Sequence, residues 1–270
     1  MNTAESIIAG AQDGVVSSSV LAEVATKFAL PLLAVEKIAL INGVIPRRYY
    51  RNIGTITPLQ QLSLLDGRCV LLGCGGLGGY VAEALARLGV GYIRIVDHDI
   101  FSESNLNRQL FAITSKIGFP KVTVVQEAIE GINSAIKVTP YREKLRRENA
   151  VSLLADVDIV IDALDNFEAR SCLLSFCSAK GVPIVGGSIA GWYGMIYHHI
   201  SPPKNLLQIF TSLSGHKGIE EFLGNPSFTP ALVASIQVAL VCQIITGAIT
   251  TGGLIQFLDV LNMKFEKFEI

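Results

Sequence analysis

This sequence predicts an α/β fold: a doubly wound, mostly parallel sheet with antiparallel C-terminal strands and an N-terminal helical extension. Three observations carry that expectation. The stretch Cys69 to Asp97 runs from an apolar segment through Gly73-Cys74-Gly75-Gly76-Leu77-Gly78-Gly79 and an amphipathic run to a second apolar segment ending on an acid. That is the order strand, tight turn, helix, strand. Apolar segments and helical runs then alternate as far as Gly187, the spacing of βαβ units with helices on both sheet faces. Beyond Gly191 neighbouring strand patterns follow one another, which suits antiparallel pairing.

Gly73, Gly75 and Gly78 keep the G-x-G-x-x-G spacing of a Rossmann-like nucleotide-binding unit. Small residues permit the tight turn and let backbone N–H groups at the helix start approach phosphate. Asp97 follows about 20 residues later, where a ribose hydroxyl would be held. The loop points to a nucleotide without saying which one.

Taken in order, residues 1–57 carry no strand pattern. Val20–Leu30 and Leu32–Gly43 read as two short helices separated by Pro31, with Gly43 as C-cap. Their outline is that of a helix-turn-helix, but the second helix offers only Glu36 and Lys37 to a groove. Residues 1–46 are therefore expected to be a helical extension, packed on the main domain (47–270) or on a partner subunit. Arg47-Arg48-Tyr49-Tyr50-Arg51 is a short basic stretch, by itself a solvated turn. Gln60–Asp66 is a helical lead-in to the first strand. Helices are predicted at Lys116–Asn133 (broken near its start by Gly118 and Pro120), at Glu143–Ala155 as a charged surface helix, and at Phe167–Lys180. Strands are predicted at Ile136–Tyr141, at Val157–Leu164, where only Asp158 and Asp162 interrupt the apolar run, and from Pro183 into Ser188. Tyr193–Ile200 is a further strand, Ser201–Thr229 a loop-rich crossover, and Ala231–Ile249 a long apolar helix. Leu254–Val260 with Lys264–Phe268 closes the chain as a hairpin.

Composition excludes several classes. A net charge of −1 provides no field for nucleic acid or an anionic membrane. The start, Met-Asn-Thr-Ala-Glu-Ser, lacks a basic segment followed by an apolar one, so no signal peptide is expected. Five cysteines without a C-x-x-C pair argue against a disulfide framework and a four-cysteine zinc site, and suit a reducing cytoplasm. Ala231–Ile249 is long enough to span a bilayer. No Lys or Arg flanks it closely, and Ser235, Gln237, Gln243 and Thr246 interrupt it. A helix buried on most sides, within the domain or at a subunit interface, is the expectation.

In an open parallel sheet, ligands sit beyond the carboxyl ends of the strands at the switch point. Asp97, Asp99, Asn105–Gln109, Lys121 and Asp165 all follow strands or lie in the loops beyond them, so they can converge over the glycine loop. A hydride-transfer site would want an apolar nicotinamide slot and a proton-relay residue. Arg108, Lys121 and an acid able to hold a metal instead suit chemistry at a triphosphate.

Gly73-x-Gly75-Gly76-Leu77-Gly78, Asp97-x-Asp99, Ser104-Asn105-Leu106-Asn107-Arg108-Gln109, Gly118-x-Pro120-Lys121 and Asp165-Asn166-x-x-x-Arg170 together resemble the ThiF/MoeB/HesA family, bacterial relatives of ubiquitin-activating enzymes. Arg48-Tyr49-x-Arg51 is similar to the family's R-Y-x-R segment. The resemblance implies an ATP–magnesium site. Gly76 would lie against the phosphates and Asp97 would hold the ribose. Asn105 and Arg108 would meet the triphosphate, Lys121 would contact phosphate and Asp165 would bind magnesium. Gly73, Gly75, Gly78, Asp99, Ser104, Gln109 and Asn166 complete the implied nucleotide-binding set, and Arg51 would reach across a homodimer interface.

The implied activity is adenylation of the C-terminal Gly-Gly carboxylate of a small ubiquitin-like sulfur carrier, with release of pyrophosphate. Such carriers serve molybdenum- or tungsten-pterin or thiamine synthesis. The nucleophile is already ionised at neutral pH, so no general base is required. Asp165 could in addition cap the following helix. Two departures from the family matter. The zinc-binding C-x-x-C pairs are missing, and His198, His199 and His216 are too few and badly spaced to replace them, so no zinc is expected. Between Ser201 and Thr229 there is no cysteine for a thioester or persulfide. Cys172, Cys177 and Cys242 read as buried packing residues. Three other readings stay open: adenylation of a peptide or tRNA carboxylate, a non-catalytic nucleotide-binding scaffold, and an NAD-dependent oxidoreductase.

Overall fold

The computed structural model describes residues 1–202 and 220–269. Three helices open the chain, α1 (Thr3–Ala9), α2 (Ser18–Phe28) and α3 (Leu32–Ile41). Asn2 and Glu5 form a capping box on α1, and Ser17 Oγ accepts the Val20 N–H at the start of α2. Pro31 precedes α3. The helix closes with paired bonds from Gly43 N–H to Leu40 O (3.1 Å) and Val44 N–H to Ala39 O (2.9 Å), with Gly43 at φ +74°. Ile7, Leu21, Val24, Val35, Ala39 and Val44 form an apolar cluster among these helices. On another side of α3, Leu33 and Leu40 pack with Tyr49 and Leu65.

Two features here depart from the sequence reading. α1 lies where no element was expected. The strands β1 (Val15–Val16) and β2 (Ile45–Pro46) pair in parallel within a region expected to hold none. Two residues are too few for an alternating pattern to register.

The main sheet begins after α4 (Pro58–Asp66), which has Pro58 in its first turn and a Thr57–Gln60 capping box. There follow β3 (Arg68–Leu72), α5 (Gly76–Leu88), β4 (Tyr92–Val96), α6 (Lys121–Ile132), β5 (Lys137–Tyr141), α7 (Arg147–Leu154), β6 (Ile159–Asp162), α8 (Phe167–Lys180) and β7 (Ile184–Ala190). The chain ends with β8 (Tyr193–His199), α9 (Glu220–Leu223), α10 (Phe228–Ile245), β9 (Gly253–Asp259) and β10 (Lys264–Glu269). The eight strands run in the order β10-β9-β8-β7-β6-β3-β4-β5. β5, β4, β3, β6 and β7 are mutually parallel, and β8, β9 and β10 join antiparallel. The order reverses between β3 and β6, which places the switch point there. Apart from the exposed Arg68 that opens β3, β3 and β6 are buried without alternation, as strands covered on both faces are.

Several boundaries differ from expectation for identifiable reasons. The helix expected from Lys116 starts only at Lys121, because Gly118 (φ +86°) and Pro120 keep the preceding turn out of it. The surface helix expected from Glu143 starts at Arg147; Leu145 is buried and holds residues 142–146 outside it. α10 spans Phe228–Ile245, ending short of Gly247. It is long and apolar enough to cross a membrane by length and composition, and 44% of it is buried. The expectation of burial on most sides therefore holds only for the face against α5, β7 and β8. Gly187 and Gly194 allow that approach; a Cβ on either would run into Gln237 or Val233. His216 and much of the crossover Ser201–Thr229 lie outside the described residues.

Candidate active site

A cleft of about 470 Å³ opens over the carboxyl ends of β3, β4 and β6. Gly75, Gly76, Asp97, Asp99, Arg108, Gln109, Lys121, Asp165 and Asn166 all line it. The switch point gathers them from loops far apart in sequence.

Each wall has a local cause. Gly73 turns the chain at φ +94° against the Ala163 carbonyl, and a Cβ on Gly78 would overlap the Gly73 carbonyl oxygen. The turn therefore closes only with glycine at both places. Gly76 is the first residue of α5, so the positive end of that helix faces the cleft. Asp97 is 9% exposed, and its carboxylate accepts the Cys74 N–H at 2.7 Å and the Asp99 N–H at 2.8 Å. Lys121 opens α6, with Nζ 3.1 Å from Asp99 Oδ2 and its N–H on the Asp99 carbonyl at 3.0 Å. Asp99 thus holds the lysine. Arg108 Nη1 donates to Ser104 O and Asn107 Oδ1, each at 2.9 Å. Asp165 is exposed at the rim and accepts from Asn166 Nδ2 at 3.3 Å. The cap on α8 is Asn166, whose Oδ1 takes the Ala169 N–H at 2.9 Å, and not Asp165 as the sequence suggested.

Five of the expected site residues lie outside this lining. Gly73 and Gly78 shape the turn. Ser104 is exposed and supplies the carbonyl that holds Arg108. Asn105 is buried, with Oδ1 accepting the Ser102 N–H at 3.0 Å, so that it braces its own loop. Arg51 is exposed on a 3-10 turn, Arg47–Asn52.

Sequence reasoning quoted Arg170 within a motif without giving it a role, and missed the buried network that it joins at the cleft. Asp162, at the end of β6, has none of its surface exposed. Arg170 Nε lies 3.1 Å from its Oδ2, the Tyr197 hydroxyl donates to it at 2.6 Å, and Gln237 Nε2 donates to the Asp162 carbonyl at 3.0 Å. Arg170 also donates to the carbonyls of Leu164 (2.5 Å) and Gly187 (2.6 Å), bracing the loop that carries Asp165. Burial and the adjacent Asp162 push the Tyr197 hydroxyl well above its ordinary value, so it remains a donor. The available signal was Asp162 itself, an acid inside an apolar strand. Lys144 and Glu143, which the charge pattern assigns to a surface helix, also line the cleft.

Burial raises the thiols of all five cysteines. Burial, then the Asp97 carboxylate, hold the Cys74 thiol well above its usual range. Burial pushes Cys69 up to about 12 and raises Cys177 too. Cys172 and Cys242 are half-buried, not buried as expected, although burial raises both.

Residues 49–270 match the ThiF family. The chain belongs to that family. Among ThiF relatives, the adenylyltransferase and sulfurtransferase MOCS3 of Xenopus laevis is 30% identical over 223 residues, 78% of this chain and 48% of that protein. A sulfur carrier protein adenylyltransferase of Thermus thermophilus is 35% identical over 156 residues, 56% of this chain and 58% of its own length. The chain thus spans about half the length of these relatives. Among solved structures, E. coli MccB with ATP aligns at a TM-score of 0.70 with 19% identity, covering 82% of this chain and 71% of that one. E. coli tRNA N6-threonylcarbamoyladenosine dehydratase, TcdA, aligns at 0.65 with 21% identity, covering 75% and 95%. These likenesses establish a shared fold.

Proposed function

We propose that this chain is an ATP-dependent adenylyltransferase acting on the C-terminal carboxylate of a small ubiquitin-like sulfur carrier ending in Gly-Gly. One observation carries the reading. The start of α5, Arg108 and Lys121 bring positive charge to the same cleft as the acids Asp97 and Asp165. The Thermus thermophilus relative, a sulfur carrier protein adenylyltransferase, supports the substrate class.

The chemistry joins a carboxylate to the α-phosphate of ATP and releases pyrophosphate. Two anions must meet, so the barrier is electrostatic and geometric. Backbone N–H groups at Gly75 and Gly76 cradle phosphate, and Arg108 and Lys121 offset charge gathering on the leaving oxygens. Asp97 holds the ribose hydroxyls. Lys121 is held beside Asp99 before substrate arrives and so loses little freedom on binding. Asp165 fits magnesium, a hard ion taken up through one or two carboxylates together with substrate phosphates. When bound, that ion neutralises phosphate charge. Asp97, His98 and Asp99 offer ligand atoms within 4.8 Å of one another. Asp97 and Asp99 are, however, committed to backbone N–H groups and to Lys121.

The reading includes a cytoplasmic homodimer in which Arg51 of one copy completes the site of the other, and no structural zinc. The exposed Arg51 supports the trans role, and the sequence offers no C-x-x-C pair to hold zinc. Carrier-dependent ATP–pyrophosphate exchange tests the activity. Lys121→Ala is expected to lower its kcat by about 10²–10³-fold, the usual effect of removing one transition-state charge partner. Exchange with a peptide or tRNA carboxylate, but with no Gly-Gly carrier, would replace the substrate class.

A further inference from the structure

Glu36 sits on α3 with none of its surface exposed, a costly position for a carboxylate without partners. Both its oxygens are engaged. Oε1 lies 3.1 Å from Arg48 Nε, and Oε2 accepts from the Tyr49 hydroxyl at 3.0 Å. Tyr49 is itself fully buried and accepts from Asn133 Nδ2 at 3.0 Å. The same amide donates to the Ala86 carbonyl at 2.9 Å, and Asn133 Oδ1 accepts from Arg48. Gly89 gives the Tyr49 ring its seat, since a Cβ there would come within 2.6 Å of it.

The placement of this cluster joins three parts of the molecule. Asn133 caps the far end of α6, the helix that opens with Lys121. Ala86 lies in the last turn of α5, the helix that opens at the glycine loop. Arg48 and Tyr49 belong to the Arg47–Asn52 turn, whose Tyr50 and Arg51 face outward. The turn is thus fastened on its inner side through Glu36 and shows Arg51 on its outer side. Glu36, Arg48, Tyr49 and Asn133 do not line the cleft, so any effect of Glu36 on chemistry is indirect, through the turn or through the ends of α5 and α6. Packing alone does not call for the charge, because apolar residues of similar volume often replace a buried ion pair without loss of stability.

We infer that Glu36 is a positioning residue, by which the N-terminal helices hold the Arg47–Asn52 turn so that Arg51 is presented to the cleft of a second copy. The inference rests on the adenylation reading above and on its assignment of Arg51 across a dimer interface. It gives the N-terminal helices a part in the reaction without any contact to substrate.

Hydrogen exchange of the full-length protein, read beside pyrophosphate-exchange kinetics, tests it. The amides of Ile53, Thr55 and Ile56 bond back to the turn at 3.3, 3.2 and 2.9 Å. In Glu36→Ala they are expected to exchange about tenfold faster or more, as a locally opened segment does, while α6 amides keep wild-type rates. The kcat should fall about tenfold or more with KM for ATP unchanged, as small displacements of a reacting group do. Glu36→Ala combined with Arg51→Ala should be no slower than Arg51→Ala alone. Glu36→Gln keeps the shape and serves if the alanine variant does not fold; it should loosen the same amides. Unchanged turn protection, uniform acceleration through α5 and α6, or multiplying losses in the double variant would overturn the role of Glu36. An Arg51→Ala protein with wild-type exchange would instead overturn the trans assignment of Arg51, so the two failures are distinct.

Discussion

Gly78 shows how tightly single atoms decide this site. Its Cβ would overlap the Gly73 carbonyl, which belongs to the turn itself and has nowhere to retreat. Gly78→Ala should cost about 1–3 kcal/mol, the usual range for overpacking. Thermal unfolding should move down by about 2–4 °C per kcal/mol at this chain length, and ATP affinity should drop with the displaced loop. The cysteines carry a second residue-scale expectation. A raised thiol pKa means less thiolate at a given pH, so at pH 8 the buried cysteines present less nucleophile than a free one. Iodoacetamide followed by mass spectrometry should label Cys172 and Cys242 well before Cys69, Cys74 and Cys177. Fast labelling of Cys74 would contradict this shielding.

Among the elements, β6 and α8 do most to shape the floor of the cleft. Asp162 ends β6, Arg170 lies one turn into α8, and Tyr197 reaches across from β8. Tyr197→Phe removes a buried donor to Asp162, a loss of about 1–3 kcal/mol. Urea denaturation should show it as a lower midpoint with unchanged slope. α8 itself was legible to the residue, Phe167–Lys180, because Asn166 caps its start and Gly181 (φ +64°) ends it. Local signals marked both ends. The Asp162 network was not legible, since Tyr197 is 35 residues away and Gln237 75, and only the sheet order brings them together. Glu143–Ala155 failed differently. Its charges suggested a solvated helix, but buried Leu145 holds the first residues outside the helix and leaves Lys144 on the cleft.

At the scale of the whole molecule, the doubly wound topology explains why so much of the site could be read from sequence. Gly75, Asp97, Lys121 and Asp165 each follow a strand or open a helix after one, and the fold delivers all such positions to one sheet edge. Arg51 belongs to no such position. Its role depends on a second copy, and a trans role predicts complementation. Arg51→Ala and Lys121→Ala proteins, each inactive alone, should on subunit exchange recover about a quarter of wild-type activity, because half the two-fold dimers would hold one intact site. Recovery of nothing, with exchange verified by native mass spectrometry, would place Arg51 outside the site. Activation of a carrier carboxylate at a triphosphate site is read by ATP–pyrophosphate exchange with purified Gly-Gly carriers. Exchange is expected to need the carrier's terminal carboxylate and to collapse in Lys121→Ala. Tight ATP binding with no exchange for any such carrier, or binding of NAD in preference to ATP, would contradict that activation.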